Sequence, residues 1–378
     1  MGVSTNWVIK DKYIMLERDG KQPLLHSMLL DEYNSSVLSF RYWDYESWIM
    51  SKFTNKKVLL LGLGGATSLQ VLEKLKIIPH DIVGVDIEAN KLKEKGLLNY
   101  PYLNIVHSDA HSYLNQTNEK FDLILVDVYN FDGYVESIYK DMELLYSKLN
   151  SNGIVALHCL DPMIKYHSFN FSFNQLIPSL SYEIASLAST YFESVYILPL
   201  WTSSLVLAGK SEQSLNVINS EVNTKLNQPY TWLDIFYKTR LSHFKEFNEI
   251  LTRYKSAFDY KSIEKQDDIY LQALFSEIKK TKFKNNFIKI FGDKYNNSIP
   301  NGKVKVEFIN ETNIKSLVLL SNLMSTDKEQ LMKGKFNQII QEIDKDPSKT
   351  KESRMIKSYV LAYGGRWDEA VNLLGVSI

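Results

Sequence analysis

The residues of this 378-residue chain whose types and spacing could do chemistry stand at the ends of apolar runs. "KVLLLGLGG" ends on Gly62, Gly64 and Gly65, "DIVGVDI" on Asp86 and Ile87, "NIVHSDA" on Asp109 and Ala110, and "FDLILVDVYN" on Asp127, Tyr129 and Asn130. Glycines let a ligand approach the backbone closely, and an acid at the next strand end accepts hydrogen bonds from ribose hydroxyls. Asp86 follows Gly62 by 24 residues, close to the spacing of about 20 expected of a ribose-binding acid. Asp109, one strand later, is placed to accept from an exocyclic amine of a base, with Ile87 and Ala110 beside the two acids. A single acid at a strand end is more often a helix cap. Three at successive ends converge where open α/β sheets bind ligands.

Other glycine-loop chemistries fit less well. A triphosphate loop requires Gly-Lys-Ser/Thr after four residues, and "GLGGATS" has no lysine. A dinucleotide loop requires a third glycine where this chain has Thr67. A nucleoside without a pyrophosphate is the ligand that remains. His107 and His111, four apart, invite a metal reading. No third ligand accompanies them, so no metal is expected, and His158 and Cys159 are read as structural.

The elements that must position these residues follow from pattern. Runs apolar at every position, such as Val58 to Leu61 and Leu123 to Val126, are those of parallel strands covered on both faces. Alternating with helical stretches, they predict an α/β fold with a Rossmann-like, doubly wound sheet over residues 53–210. Residues 1–52, with "YIMLERDG", "PLLHSMLLDE" and "SSVLSFRYW", read as a small N-terminal β element. Residues 211–378 read as an α-helical domain, opening with a long helix through "TWLDIFYKTRLSHFKEFNEILTRY". Near its end "GKFNQII" and "GRWDEAV" repeat a pattern at a 31-residue interval, as stacked helical hairpins of tetratricopeptide type would.

Lys plus Arg and Asp plus Glu balance at 44 each, so no overall field attracts nucleic acid or an anionic membrane. One cysteine, Cys159, excludes an intrachain disulfide and a cysteine metal cluster. The N-terminus lacks the pattern of a secretory leader. These features are expected of a cytoplasmic protein.

The motifs "VLLLGLGGATSLQVLEK", "VGVDIEANKL", "HSDAHSYL", "FDLILVDVYN" and "GIVALH" resemble those of class I S-adenosylmethionine-dependent transferases, and most of all the spermidine synthase group. "MLLDEYNSSV" is similar to that group's "MLDGVVQSS" region, and Asp127 stands where the group carries its catalytic "DSTDP"-type segment. The resemblance implies S-adenosylmethionine or its decarboxylated form as cofactor. It implies Asp127 as base or orienter, Tyr129 and Asn130 as residues that orient an acceptor, and Ser35, Tyr45 and Glu46 as acceptor-binding residues. The chain departs from the group at three positions: Gly65 replaces the loop acid, Ser35 or Asn34 the acceptor-binding Gln, and Asn130-Phe131 the Asp-Pro pair.

Three readings follow. Methyl transfer to an amine, hydroxyl or peptide acceptor is favoured, because Gly65 removes an acid that would repel a donor carboxylate. Aminopropyl transfer is the second. A catalytically inactive nucleoside-binding scaffold is the third. Expected partners are a small-molecule or peptide acceptor, and a second copy or another protein on the helical domain.

Overall fold

The computed structural model describes residues 5–10, 13–18, 21–30, 37–129, 136–159, 180–199, 203–219, 227–244, 340–341, 344 and 351–375. Strands β1 (Thr5–Lys10), β2 (Tyr13–Arg18) and β3 (Lys21–Met28) form an antiparallel sheet of order β1-β2-β3. Eight further strands form a second sheet: β4 (Lys57–Leu61), β5 (Asp81–Asp86), β6 (Leu103–His107), β7 (Phe121–Val126), β8 (Leu149–Cys159), β9 (Ser194–Pro199), β10 (Ser204–Gly209) and β11 (Ser242–His243). Its order is β11-β9-β10-β8-β7-β4-β5-β6. The run from β8 to β6 is parallel, and β10 pairs antiparallel with both β8 and β9.

The chain steps outward from β4 to β5 and β6, then returns to the other side of β4 as β7. This reversal is a topological switch point, where a crevice opens at the carboxyl ends of the strands. The all-apolar runs do what their pattern predicts, sending alternate side chains to opposite faces. Val58, Leu60, Leu123 and Leu125 join one core cluster, while Leu59, Leu61, Ile124 and Val126 join the other.

Helices α1 (Trp43–Ser51), α2 (Thr67–Lys74), α3 (Ala89–Glu94), α4 (Ala110–Gln116) and α5 (Met142–Ser147) precede α6 (Leu180–Ala188), α7 (Asn216–Asn219), α8 (Gln228–Arg240), α9 (Lys351–Tyr363) and α10 (Trp367–Leu373). The second core cluster lies against α4, α5 and α6; the first lies beneath the N-terminal sheet, α1, α2 and the C-terminal helices. No helix among the described residues is long and apolar enough to cross a membrane.

Three expectations need correction. "SSVLSFRYW" forms no strand among its described residues 37–43, and its last residue starts helix α1: Asp44 accepts from Ser39 N (2.8 Å), Ser39 Oγ (2.6 Å) and Phe40 N (2.7 Å), folding the chain back at the helix start. The long C-terminal helix stops at Arg240, and Ser242–His243 adds a strand to the main sheet beside β9. The sheet therefore extends beyond residue 210. The C-terminal helices pack on the N-terminal part, where the ring of Phe40 lies against Trp232, Tyr359, Tyr363 and Trp367. Of the repeat pair, "GRWDEAV" forms the turn and start of the α9–α10 hairpin. Residues 334–339 of the first unit lie outside the described residues.

Beneath this packing, Asp234 of α8 is fully buried. Its Oδ1 accepts from Trp48 Nε1 (2.7 Å) and pairs with Lys52 Nζ (2.5 Å), both from the N-terminal part, and Lys238 Nζ lies 2.8 Å from Oδ2.

Candidate active site

A cavity of about 230 Å³ opens at the switch point. Its floor comes from the strand ends and the glycine loop: Gly62, Leu63, Gly64, Asp86, Ser108 and Asp127. The N-terminal sheet covers it with Trp7, Leu16, His26 and Ser27, and a wall comes from Trp43 and Glu46 of α1 with Tyr42 at its N-cap. Four acids, Glu46, Asp86, Glu88 and Asp127, line it, and neither lysine nor arginine does among the described residues.

The glycine loop is held by the protein itself. Leu63 N and Gly64 N donate to Asp86 Oδ2 (2.8 and 3.2 Å), and Gly65 N donates to Ser27 Oγ (2.6 Å). Thr67 Oγ1 accepts from Met28 N and donates to Met28 O, both at 2.8 Å. The amides that would cradle a phosphate are thus occupied. Gly62 has φ +87°, and a Cβ there would lie 2.2 Å from the Asp127 carbonyl oxygen. Its lack of a side chain lets β4 and β7 close together under the cavity.

Gly65 corrects an expectation. A Cβ on it would meet Ile14 Cδ1 at 2.3 Å and Ser27 Cβ at 2.7 Å, so its smallness serves packing of the N-terminal sheet, and it does not line the cavity. The preference for methyl transfer drawn from this position loses its basis. Asp109 is the N-cap of α4, its Oδ1 accepting from Ser112 N at 2.8 Å; it is exposed and outside the cavity lining, whereas Ala110 and Ile87 line it. Asp86 does reach the cavity, with Oδ1 accepting from Glu88 N (2.7 Å).

Asp127 lies at the cavity with Tyr129. Tyr129 is oriented by a 2.8 Å bond from its hydroxyl to the His158 carbonyl. Asn130 and Ser35, with Asn34, fall outside the described residues. Tyr45 is fully buried, 3.5 Å from Ser203 Oγ, and packs behind the wall rather than lining it; Tyr42, one turn earlier, takes the facing position.

His158 is the site residue that sequence reasoning missed. It sits near the carboxyl end of β8, beside the end of β7, and its Nδ1 lies 2.5 Å from Asp127 Oδ1. Glu46 joins them, so that one ligand-type atom from each of the three lies within 4.8 Å of the others. His107 and His111, by contrast, share no helix face: His107 ends β6, and His111 on α4 contacts Asp141 Oδ2 at 2.8 Å.

Burial, followed by the charge of Asp127, pushes the Glu46 carboxyl well above the usual carboxylate range. Burial likewise raises the Tyr42 phenol and lowers His26, although Asp86 and Asp127 oppose the latter shift. The pocket thus combines an ionisable carboxylate, a carboxyl group biased to its neutral form, and an imidazole held between them and aromatic rings.

No family model matches the chain. Over 108 residues it is 31% identical to a polyamine aminopropyltransferase of Thermococcus onnurineus, a match covering 26% of this chain and 38% of that relative. The chain thus spans well under two thirds of the curated relative it matches. Among solved structures it is similar to spermidine synthase from Thermotoga maritima, at 19% identity, 55% of this chain, 68% of that chain and a TM-score of 0.37. A 16S rRNA methyltransferase of T. thermophilus compares at 16% identity, 55% of this chain, 50% of that chain and a TM-score of 0.32.

Proposed function

We propose that this protein transfers an alkyl group from a sulfonium nucleoside, S-adenosylmethionine or its decarboxylated form, to an amine. The observation that carries the reading is a cavity at the switch point, lined by Asp86, Glu88 and Asp127 besides the burial-neutralised Glu46, and by no lysine or arginine among the described residues. A sulfonium is cationic, and such a lining lowers its energy when water is displaced. Asp86 is the ribose-side acid, sharing its carboxylate between the loop amides and the sugar hydroxyls.

The moving group is read as aminopropyl. A decarboxylated donor carries sulfonium and ammonium charges and no carboxylate, so it matches this lining at both ends. The curated relative's name points the same way. Methyl transfer is the second reading, on a separate observation. His26 lines the cavity beside Gly64, the two being close enough that a Cβ on Gly64 would lie 2.8 Å from the imidazole. An N–H of that ring is a hydrogen-bond donor available to a donor carboxylate. Burial holds His26 toward its neutral form, which weakens such a contact.

In either case the reacting carbon, sulfur and amine must be aligned, and the amine must lose a proton before attack. The products separate the readings. Incubation with each donor and a panel of diamines and triamines, followed by mass spectrometry, yields methylthioadenosine for aminopropyl transfer and S-adenosylhomocysteine for methyl transfer. Absence of both thioethers, with neither donor bound, would leave the scaffold reading.

A further inference from the structure

We infer that His158 is the proton acceptor for the attacking amine and that Asp127 positions it, an inference that rests on the proposed alkyl transfer. The resemblance implied Asp127 as base or orienter. The geometry divides the work between the two residues. His158 Nδ1 faces Asp127 Oδ1 at 2.5 Å, while Nε2 is buried with no hydrogen-bond partner among the described residues. A carboxylate that accepts from Nδ1–H leaves Nε2 as the ring's free lone pair. A buried nitrogen without a partner is costly, and here it belongs to a residue that lines the cavity.

The ring is fixed from several sides. Tyr42 stacks on it with centroids 4.2 Å apart and planes 21° from parallel, and Tyr45 and Tyr129 approach edge-on at 5.7 and 5.9 Å. Its backbone is fixed as well, since the hydroxyls of Tyr129 and Tyr139 both donate to the His158 carbonyl at 2.8 Å. Such bracing is what a positioned base requires. The groups facing it that titrate are Asp127, Glu46, Tyr42, Tyr45 and Tyr129.

The step balances without another reactant. The N–H proton of an ammonium acceptor passes to Nε2, and the freed nitrogen pair forms the N–C bond to the donor carbon. The C–S bond breaks, and its electron pair stays on sulfur as a neutral thioether. A second proton leaves the product amine's nitrogen or remains there as the ammonium of the product. The imidazolium formed is stabilised by the adjacent Asp127 carboxylate, as in other carboxylate–histidine pairs.

The test uses His158→Gln and Asp127→Asn in the full chain, with decarboxylated S-adenosylmethionine, S-adenosylmethionine and putrescine as probes. The expected result for His158→Gln is donor affinity within about twofold of the parent and a kcat lower by about 10²- to 10⁴-fold. The limb of the rate profile that rises with pH in the parent should be lost or displaced with it. Near-parental kcat in His158→Gln, or a lower kcat with an unchanged limb, would overturn the inference. Nitrogen NMR of the parent reads the tautomer without turnover: a proton on Nδ1 and a bare Nε2 are expected, and a proton on Nε2 would overturn it. Failure of both donors to bind the parent would instead count against the alkyl-transfer reading on which the inference rests.

Discussion

Asp127 and His158 meet at 2.5 Å from the ends of two adjacent parallel strands, and the buried carboxyl of Glu46 joins them, one ligand-type atom from each of the three lying within 4.8 Å of the others. The pairing follows from β7 and β8 running parallel in register, Val126 opposite Leu157, so that the next residues on each strand come together. Replacing Asp127 by Asn keeps size and removes the charge that stabilises an imidazolium. Asp127→Asn is expected to fold and to lose about 10²-fold or more in kcat, read by steady-state kinetics alongside circular dichroism.

Gly62 tests whether the glycine loop acts through the protein's own backbone. Its φ is +87°, and a Cβ would reach the Asp127 carbonyl at 2.2 Å. Left-handed backbone alone costs a non-glycine residue about 1–2 kcal/mol, and the clash displaces the end of β7. Gly62→Ala should therefore lower stability by more than about 2 kcal/mol in urea unfolding and weaken donor binding with it. Parental stability would show that β7 can move aside freely.

Asp234 tests the joint between the N-terminal region and the helix at Gln228–Arg240. Its removal strands Lys52, whose side chain is 5% exposed, without a counter-charge. Loss of one partner of a buried ion pair costs about 3–5 kcal/mol. Asp234→Ala should show a cost of that size in chemical unfolding, and Lys52→Met combined with it should recover part of the loss.

Asp44 makes stability depend on pH in the direction opposite to a salt-bridged acid. Burial pushes its carboxyl up to about 7 even though three donors point at it. The folded chain then holds a proton that the unfolded chain, with an ordinary aspartate near 3.8, has released. Stability from this group is complete below about pH 4 and is lost as pH rises through 7. Thermal unfolding between pH 4 and 8 should fall more steeply in the parent than in Asp44→Asn, and equal slopes would show that Asp44 does not titrate in that range.

Much of the sheet was legible, because strands buried on both faces must be apolar at every position, and "VLLL" and "LILV" are. The crevice followed from the strand ends, and Asp86 and Asp127 line it. What escaped notice depended on packing between distant segments. "SSVLSFRYW" has the aromatic content of a strand, but Asp44 gathers the donors of Ser39 and Phe40 and a helix starts at Trp43. That helix carries Glu46 into the cavity. His158 stood inside an apolar run and read as core; its signal was that a polar residue near the end of β8 must neighbour the acid that ends β7. Gly65 looked like part of the ligand loop because glycines there are ambiguous between ligand approach and protein approach. The neighbouring N-terminal sheet decided it.

The most direct measurement is calorimetric titration of the purified chain with decarboxylated S-adenosylmethionine and, separately, with S-adenosylmethionine. The expected result is binding of both, with the decarboxylated donor at least about tenfold tighter, a difference of about 1.4 kcal/mol. Preference for the carboxylated donor would contradict aminopropyl transfer and favour methyl transfer through His26, and heat from neither would contradict alkyl transfer altogether.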